Sequence, residues 1–272
     1  MTKILTLWMV FLFLLAILLL LLYLFINPGS SRDFYKKEEN SKKTFYDWFH
    51  TLEYGSLKLA YTFRTYEELF SRFKGKNPVI LEIGVRGGGG IELFYKYFGG
   101  QCEIYGVDIE ERVTRIQKGF PEVKIFIGDQ GDKTFMEDVA KEIGKPIDIV
   151  LDDGGHFMHQ QIYSLEALFP FVNHGGVYVI EDVGTSYQAD FNNQTTPTLV
   201  EYLKTRLDET VSGKAEMDWK DIKSIQFYKD VVAIQKDHDI PFGFIYKDKR
   251  RFIKPECVEE LPDPFDVDDY DE

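Results

Sequence analysis

Five short apolar runs, each closed by glycine or an acidic residue, alternate along this chain with stretches of helical spacing, and that alternation limits the fold more than any other feature. The runs cover residues 79–83, 104–107, 123–127, 147–151 and 177–180, and the helical stretches cover 91–98, 110–118, 133–143 and 159–171. Strand–helix alternation at this spacing argues a parallel sheet covered by helices. Runs that are apolar at every position suit strands buried on both faces. After a further helical stretch at 198–207, two runs at 224–228 and 231–235 are separated only by Lys229-Asp230, which reads as an antiparallel hairpin at the sheet edge. The expected fold class is therefore α/β: a doubly wound, mostly parallel seven-stranded sheet with helices on both faces, Rossmann-like in plan.

Ahead of this pattern, residues 4–26 are uncharged and almost wholly apolar. About 20 apolar residues suffice to cross a bilayer as a helix. The run ends in Asn27-Pro28-Gly29 rather than in the small residues of a cleavage site. The expectation is one transmembrane helix preceding the α/β domain. Lys3 alone precedes the run, whereas Arg32, Lys36, Lys37, Lys42 and Lys43 follow it. The positive-inside rule then places a single-pass membrane protein with its domain in the cytoplasm. The divisions expected are 1–26 anchor, 27–43 linker, 44–75 cap, 76–255 main domain and 256–272 acidic disordered tail. The cap segment is rich in aromatics (Phe45, Tyr46, Trp48, Phe49, Tyr54, Tyr61 and Phe63), and Thr65 with Glu68 fits a capping box opening a helix that runs to residue 73.

The formal net charge of -13 disfavours a phosphate-backbone partner, so no nucleic acid is expected. The substrate expected is neutral, cationic or metal-bridged. The two cysteines, Cys102 and Cys257, form neither a disulfide framework nor a metal-ligand spacing.

The first run leads into Glu82-Ile83-Gly84-Val85-Arg86-Gly87-Gly88-Gly89-Gly90. Glycines let a backbone turn sharply and approach a ligand closely, and ligands of open α/β sheets sit outside the carboxyl ends of the strands. Two cofactors compete for such a loop. The dinucleotide fingerprint G-x-G-x-x-G fails from Gly84, where Arg86 takes the third place, and from Gly87, where Glu92 takes the sixth. An acidic residue before the first glycine suits S-adenosylmethionine, whose methionine end is cationic. Glu82, Gly84, Arg86 and Gly88 are the loop candidates. Asp108 closes the second run, where a carboxylate can bond both ribose hydroxyls. Asp129 and Gln130 close the third and can bond the adenine edge. Asp152, at the end of the fourth, is assigned to the cofactor side as well.

The fourth run continues into Asp152-Asp153-Gly154-Gly155-His156, and the fifth ends in Glu181-Asp182. Carboxylates converging at neighbouring strand ends repel one another unless a cation lies between them. Magnesium prefers such oxygens and keeps places for water or substrate. Asp153, Glu181 and Asp182 are the expected metal ligands. A coordinated hydroxyl is a better nucleophile, and His156, three residues after Asp153, is the expected general base. His159 is the second choice.

Together, LEIGVRGGGG, GVDI, GDQGD, DDGGHFMHQQ and VIEDVGTSY resemble the metal-dependent sugar O-methyltransferases of macrolide biosynthesis, of the mycinamicin and elloramycin type, within the class I methyltransferase superfamily. The resemblance covers roughly residues 65 to 236. It implies the Rossmann-like methyltransferase fold, S-adenosylmethionine and Mg2+ as cofactors, and a hydroxyl of a sugar or glycan-like small molecule as acceptor. It implies metal ligation by Asp153, Glu181 and Asp182, with His156 as base. The family's histidine and lysine before the first strand are matched only loosely, by His50 and Lys58. With an anchor, the acceptor expected is lipid-linked or close to the membrane. Two other readings stay open: a membrane-tethered cofactor-binding module without catalysis, and an NAD-dependent enzyme on a similar sheet.

Overall fold

The computed structural model describes residues 40, 42–192, 196–214, 219, 221–236, 244–246 and 251–253. The described residues fall into two compact units, one made of those up to Asn77 with Gly89–Cys102, the other of Pro78–Gly88 and those from Glu103 onward.

The second unit holds a seven-stranded sheet in the order β3-β2-β1-β4-β5-β7-β6. Its strands are β1 (Val79–Ile83), β2 (Glu103–Asp108), β3 (Lys124–Ile127), β4 (Ile147–Asp152), β5 (Val172–Glu181), β6 (Ile222–Phe227) and β7 (Val231–Lys236). The first five are parallel, and β7 pairs antiparallel with both β5 and β6. Strand order reverses at β1, which lies between β2 and β4. That reversal opens a crevice at the carboxyl ends of β1 and β4, the place where open α/β sheets bind ligands. A separate pair joins β8 (Phe244–Tyr246) to β9 (Arg251–Ile253).

Every residue of β1 is buried, as its unbroken apolar pattern requires. One face of the sheet packs against α4 (Lys133–Ile143), α5 (Met158–Leu168) and α6 (Leu199–Val211) in a continuous core. In α4, Met136, Val139, Ala140 and Ile143 recur at the i, i+3, i+4, i+7 spacing of a helix face and are buried. Asp132 caps its start by accepting from the Thr134 and Phe135 N–H groups, and Gly144, at φ 69°, ends it in the left-handed conformation. Thr198 caps α6 through the Glu201 N–H. Pro170 follows α5, whose last turn tightens into a 3-10 turn at Phe169–Phe171.

The first unit contains α1 (Phe45–Phe49), α2 (Thr62–Phe70) and α3 (Gly89–Tyr97). The aromatics expected of a cap segment form its core. Phe45 is fully buried, stacks on Tyr97 at 3.6 Å between centroids, and meets Tyr66, Phe70 and Phe94 edge-on. Buried Glu92 accepts from the N–H groups of Glu53 and Tyr54 and pairs with Lys96 at 2.7 Å, so the 53–54 segment is held against the start of α3.

Three expectations change. The stretch at 110–118 forms a 3-10 helix, Glu111–Lys118, because its two buried residues, Val113 and Ile116, lie three apart and face one side at that pitch. The helix placed at 65–73 is instead α2, starting at Thr62; Thr65 is buried within it, so it cannot serve as a cap. The third concerns the membrane. Among the described residues no helix is long and apolar enough to cross one. The longest of these, α6, has 13 residues, about 20 Å at the α-helical rise, against a hydrocarbon core of about 30 Å. Apolar length gives a run the capacity to span and does not by itself make it a spanning helix. The run at 4–26 and the acidic tail at 256–272 lie outside the described residues. The transmembrane helix, the membrane localisation, the cytoplasmic orientation and the lipid-linked acceptor drawn from that run are therefore withdrawn.

Candidate active site

The crevice beside β1 is built by close backbone approach. Gly84 follows β1 at φ 90°, and a Cβ there would lie 2.2 Å from the Asp153 carbonyl oxygen. Only glycine combines that φ with that contact. The Asp153 N–H donates to the Ile83 carbonyl at 2.9 Å, and the Gly84 N–H donates to Val107 at 2.8 Å. The ends of β1, β2 and β4 are thus fastened to one another. Gly88, at φ 89°, is pressed against Ile116, where a Cβ would meet Cδ1 at 2.6 Å.

Asp108 ties the glycine loop to β2. Its Oδ2 accepts from the Arg86 N–H at 2.8 Å and its Oδ1 from the Glu110 N–H at 2.9 Å. Each carboxylate oxygen can accept more than one hydrogen bond, so a half-exposed Asp108 keeps acceptor capacity for two vicinal hydroxyls. Arg86 is in the left-handed region, at φ 48°. Glu82 is buried within β1 at 2% exposure. Asp129 is exposed, and its Oδ1 accepts from the Gly131 N–H and from Gln160 Nε2.

Gln130 and Asp152 are drawn into the interior. Gln130 Nε2 donates to both oxygens of Asp152, at 3.0 and 3.2 Å, while its Oε1 accepts from the Gly155 N–H at 2.8 Å. Both ends of the amide are engaged, so Gln130 braces the turn between Asp153 and His156. Asp152 is fully buried and also accepts from Ser164 Oγ at 2.8 Å. Burial pushes its carboxyl above the usual range, while the bonds from Ser164, Gln130 and Gly154 pull it back. Burial likewise raises the neighbouring Tyr178 phenol well above its ordinary value, with the Asp152 carboxylate adding to the shift.

At the mouth of the crevice, donor atoms of Asp153, His156 and Asp182 all lie within 4.8 Å of one another. His156 Nε2 is 3.1 Å from Asp182 Oδ2. Its Nδ1 is buried, with no hydrogen-bond partner among the described residues. Glu181 ends β5, is buried at 6% exposure, and accepts through its carbonyl from Gln161 Nε2 at 3.1 Å. Among the described residues, the cluster within 4.8 Å contains His156 and does not contain Glu181. Of the expected metal set, Asp153 and Asp182 therefore meet the expected base, His156, at one point, and Glu181 lies outside that cluster. His159, near the start of α5, is not in the cluster. His50 caps the end of α1, and the Lys58 ammonium lies over the Tyr66 ring, both in the first unit.

His156 and Asp182 share a conformation that the sequence does not announce. Their φ angles are 61° and 54°. Non-glycine residues in this region are uncommon and gather at functional sites, where surrounding contacts hold them.

Comparison with known proteins follows the same lines. Residues 55–170 match the family of FtsJ-like methyltransferases. The chain is 32% identical over 189 residues to 8-demethyl-8-alpha-L-rhamnosyl tetracenomycin-C 2'-O-methyltransferase of Streptomyces olivaceus, covering 63% of this chain and 49% of that protein. It is 37% identical over 140 residues to mycinamicin VI 2''-O-methyltransferase of Micromonospora griseorubida, covering 48% of this chain and 34% of that one. Among solved structures, the MycE methyltransferase of the mycinamycin biosynthetic pathway, in complex with Mg, SAH and mycinamycin VI, superposes with a TM-score of 0.61 at 27% identity, over 70% of this chain and 53% of that one. The chain thus spans about half the length, or less, of the curated relatives it matches. The resemblance to sugar O-methyltransferases of the mycinamicin type stands on these similarities.

Proposed function

We propose, from the FtsJ-like methyltransferase match and the cluster at the carboxyl ends of the sheet's strands, that this chain is an S-adenosylmethionine-dependent, magnesium-dependent O-methyltransferase acting on a sugar hydroxyl of a glycosylated small molecule. The observation that carries the reading is the meeting of Asp153, His156 and Asp182 at the carboxyl ends of β4 and β5. The two carboxylates are a hard, incomplete donor set; they fit a divalent cation that keeps places for water and acceptor oxygens. Asp153 and Asp182 would hold the cation. Glu181, one residue away, joins them if its side chain turns toward the cluster.

When bound, S-adenosylmethionine supplies the methyl group and leaves as S-adenosylhomocysteine, while the cation supplies Lewis-acid polarisation of the acceptor hydroxyl. The protein's own part is positioning and proton transfer. His156, within the cluster, is the residue placed to take the hydroxyl proton. Asp182, 3.1 Å away, stabilises the imidazolium that results. Asp108, with its remaining acceptor capacity, suits the cofactor ribose, and exposed Asp129 the adenine edge. Gln130 and Asp152 serve as braces rather than as ligand contacts. The rhamnosyl acceptor in the name of the Streptomyces olivaceus relative supports a sugar hydroxyl as the methyl acceptor.

Calorimetric titration of the purified chain with S-adenosylmethionine and, separately, with NAD tests the cofactor. Saturable binding of S-adenosylmethionine alone is expected. Binding of NAD, or of neither, overturns the reading in favour of a dehydrogenase or an inactive module.

A further inference from the structure

Two residues of the donor cluster, His156 and Asp182, are in left-handed conformation and sit on different loops, one after β4 and one after β5. Such a conformation persists only where neighbours hold it. The holding groups lie outside the donor cluster. Thr185 Oγ1 reaches the Asp182 carbonyl at 2.7 Å and the His156 carbonyl at 3.2 Å, so a single buried hydroxyl proton faces the backbone of both residues. Asp230, in the turn between β6 and β7, takes the two N–H groups that follow Asp182. Its carbonyl accepts from Val183 at 3.2 Å and its Oδ1 from Gly184 at 2.6 Å. A Cβ on Gly184 would lie 2.9 Å from that same Oδ1, so the fit admits glycine alone without a shift.

We propose that Thr185 and Asp230 are positioning residues that fix His156 Nε2 against Asp182 Oδ2 and so set the divalent-cation affinity of the cluster. The proposal rests on the reading of Asp153, His156 and Asp182 as a cation site. Thr185 bridges the two loops, and Asp230 anchors one of them to the antiparallel edge of the sheet. Without the bridge each loop relaxes toward ordinary backbone angles, and the side chains at 156 and 182 turn apart. Groups that orient metal ligands from behind typically govern affinity or activity by about 10–100-fold.

The test is Mn2+ binding to the full chain, followed by electron paramagnetic resonance, with thermal melts and S-adenosylmethionine titration on the same preparations. Thr185→Val keeps the shape and removes the hydroxyl; Asp230→Ala removes the acceptor for Gly184. Each is expected to weaken Mn2+ binding by about 10–100-fold, while Thr185→Ser restores it to within about 3-fold of the parent. S-adenosylmethionine binding is expected to hold. A hydroxyl that matters only for stability lowers the melting temperature and leaves Mn2+ affinity alone. Parental Mn2+ affinity in both Thr185→Val and Asp230→Ala, with binding abolished in Asp182→Asn, overturns the positioning role and leaves the cation site standing. Should Thr185→Val fail to fold, Asp230→Ala and Thr185→Ser carry the test alone: loss in the first with retention in the second supports the proposal, and parental affinity in the first overturns it. Parental binding in both Asp153→Asn and Asp182→Asn, or no binding by the parent chain, overturns the cation site and the proposal with it.

Discussion

Replacing Gly84 by alanine should damage both the fold and the site, and the structure gives the size of the effect in two parts. The first is conformational. Gly84 has φ 90°, and holding an L-residue in the left-handed half of the map costs about 1–2 kcal/mol. The second is collision. The new methyl carbon would stand 2.2 Å from the Asp153 carbonyl oxygen and 2.8 Å from Gly154 Cα, both backbone atoms that cannot swing aside as a side chain does. Relief requires β1 and β4 to part where the Asp153 N–H meets the Ile83 carbonyl at 2.9 Å. Losing that buried bond adds about 1–3 kcal/mol. The total, about 2–5 kcal/mol, is a large share of the 5–15 kcal/mol typical of a folded domain. Gly144→Ala is the matched control. It too has positive φ, at 69°, but a Cβ there meets nothing nearer than 3.7 Å. Urea unfolding of both variants, followed by circular dichroism, should show Gly84→Ala the more destabilised by about 1–3 kcal/mol. Because Asp153 carries the displaced carbonyl, Mn2+ affinity should fall in Gly84→Ala and not in Gly144→Ala. Equal destabilisation of the two variants, with Mn2+ affinity unchanged in both, would refute the claim that close backbone approach builds the site.

Three further outcomes are expected. His156→Gln should lower kcat for methyl transfer by about 10²–10⁴-fold while leaving S-adenosylmethionine affinity intact, as initial-rate kinetics and calorimetry would show. Ser164→Ala removes a 2.8 Å bond to fully buried Asp152 and should cost about 1–3 kcal/mol in urea unfolding. In the first unit, Glu92→Ala deprives the Glu53 and Tyr54 N–H groups of their acceptor; a loss of about 2–4 kcal/mol and faster amide hydrogen exchange at 53–54 are the expected signs.

The sheet was legible because its strands are apolar without interruption. Residues 79–83 match β1 to the residue, and the runs at 104–107 and 147–151 fall within a residue at each end of β2 and β4. The apolar run at 177–180 covers only the second half of β5, since the first half, Val172 to Gly176, contains Asn173, His174 and two glycines and has the composition of a loop. The acids at the strand ends were legible for the same reason, each closing an apolar run. Their partners were not. Nothing in Gln130 or Asp152 taken alone announces that they bind each other, because the contact joins β3 to β4 across 22 positions. The left-handed angles of His156 and Asp182, and the holding contacts of Thr185 and Asp230, are equally non-local. The true capping box, Thr44 with Asp47 opening α1, uses Asp where the usual pattern has Glu or Gln, so Thr65 with Glu68 matches the sequence pattern better without forming one. The apolar run at 4–26 has the length of a span, yet among the described residues no helix is long and apolar enough to cross a membrane.

The most direct test of a cation-dependent methyl-transfer centre at Asp153, His156 and Asp182 is transfer of a labelled methyl group from S-adenosylmethionine to a rhamnosylated or macrolide glycoside, measured before chelation, after it, and after Mg2+ is restored. The account predicts label in the sugar, lost on chelation, regained with Mg2+, and absent throughout in Asp153→Asn and Asp182→Asn. Transfer that persists undiminished in the chelated parent and in both variants would contradict it.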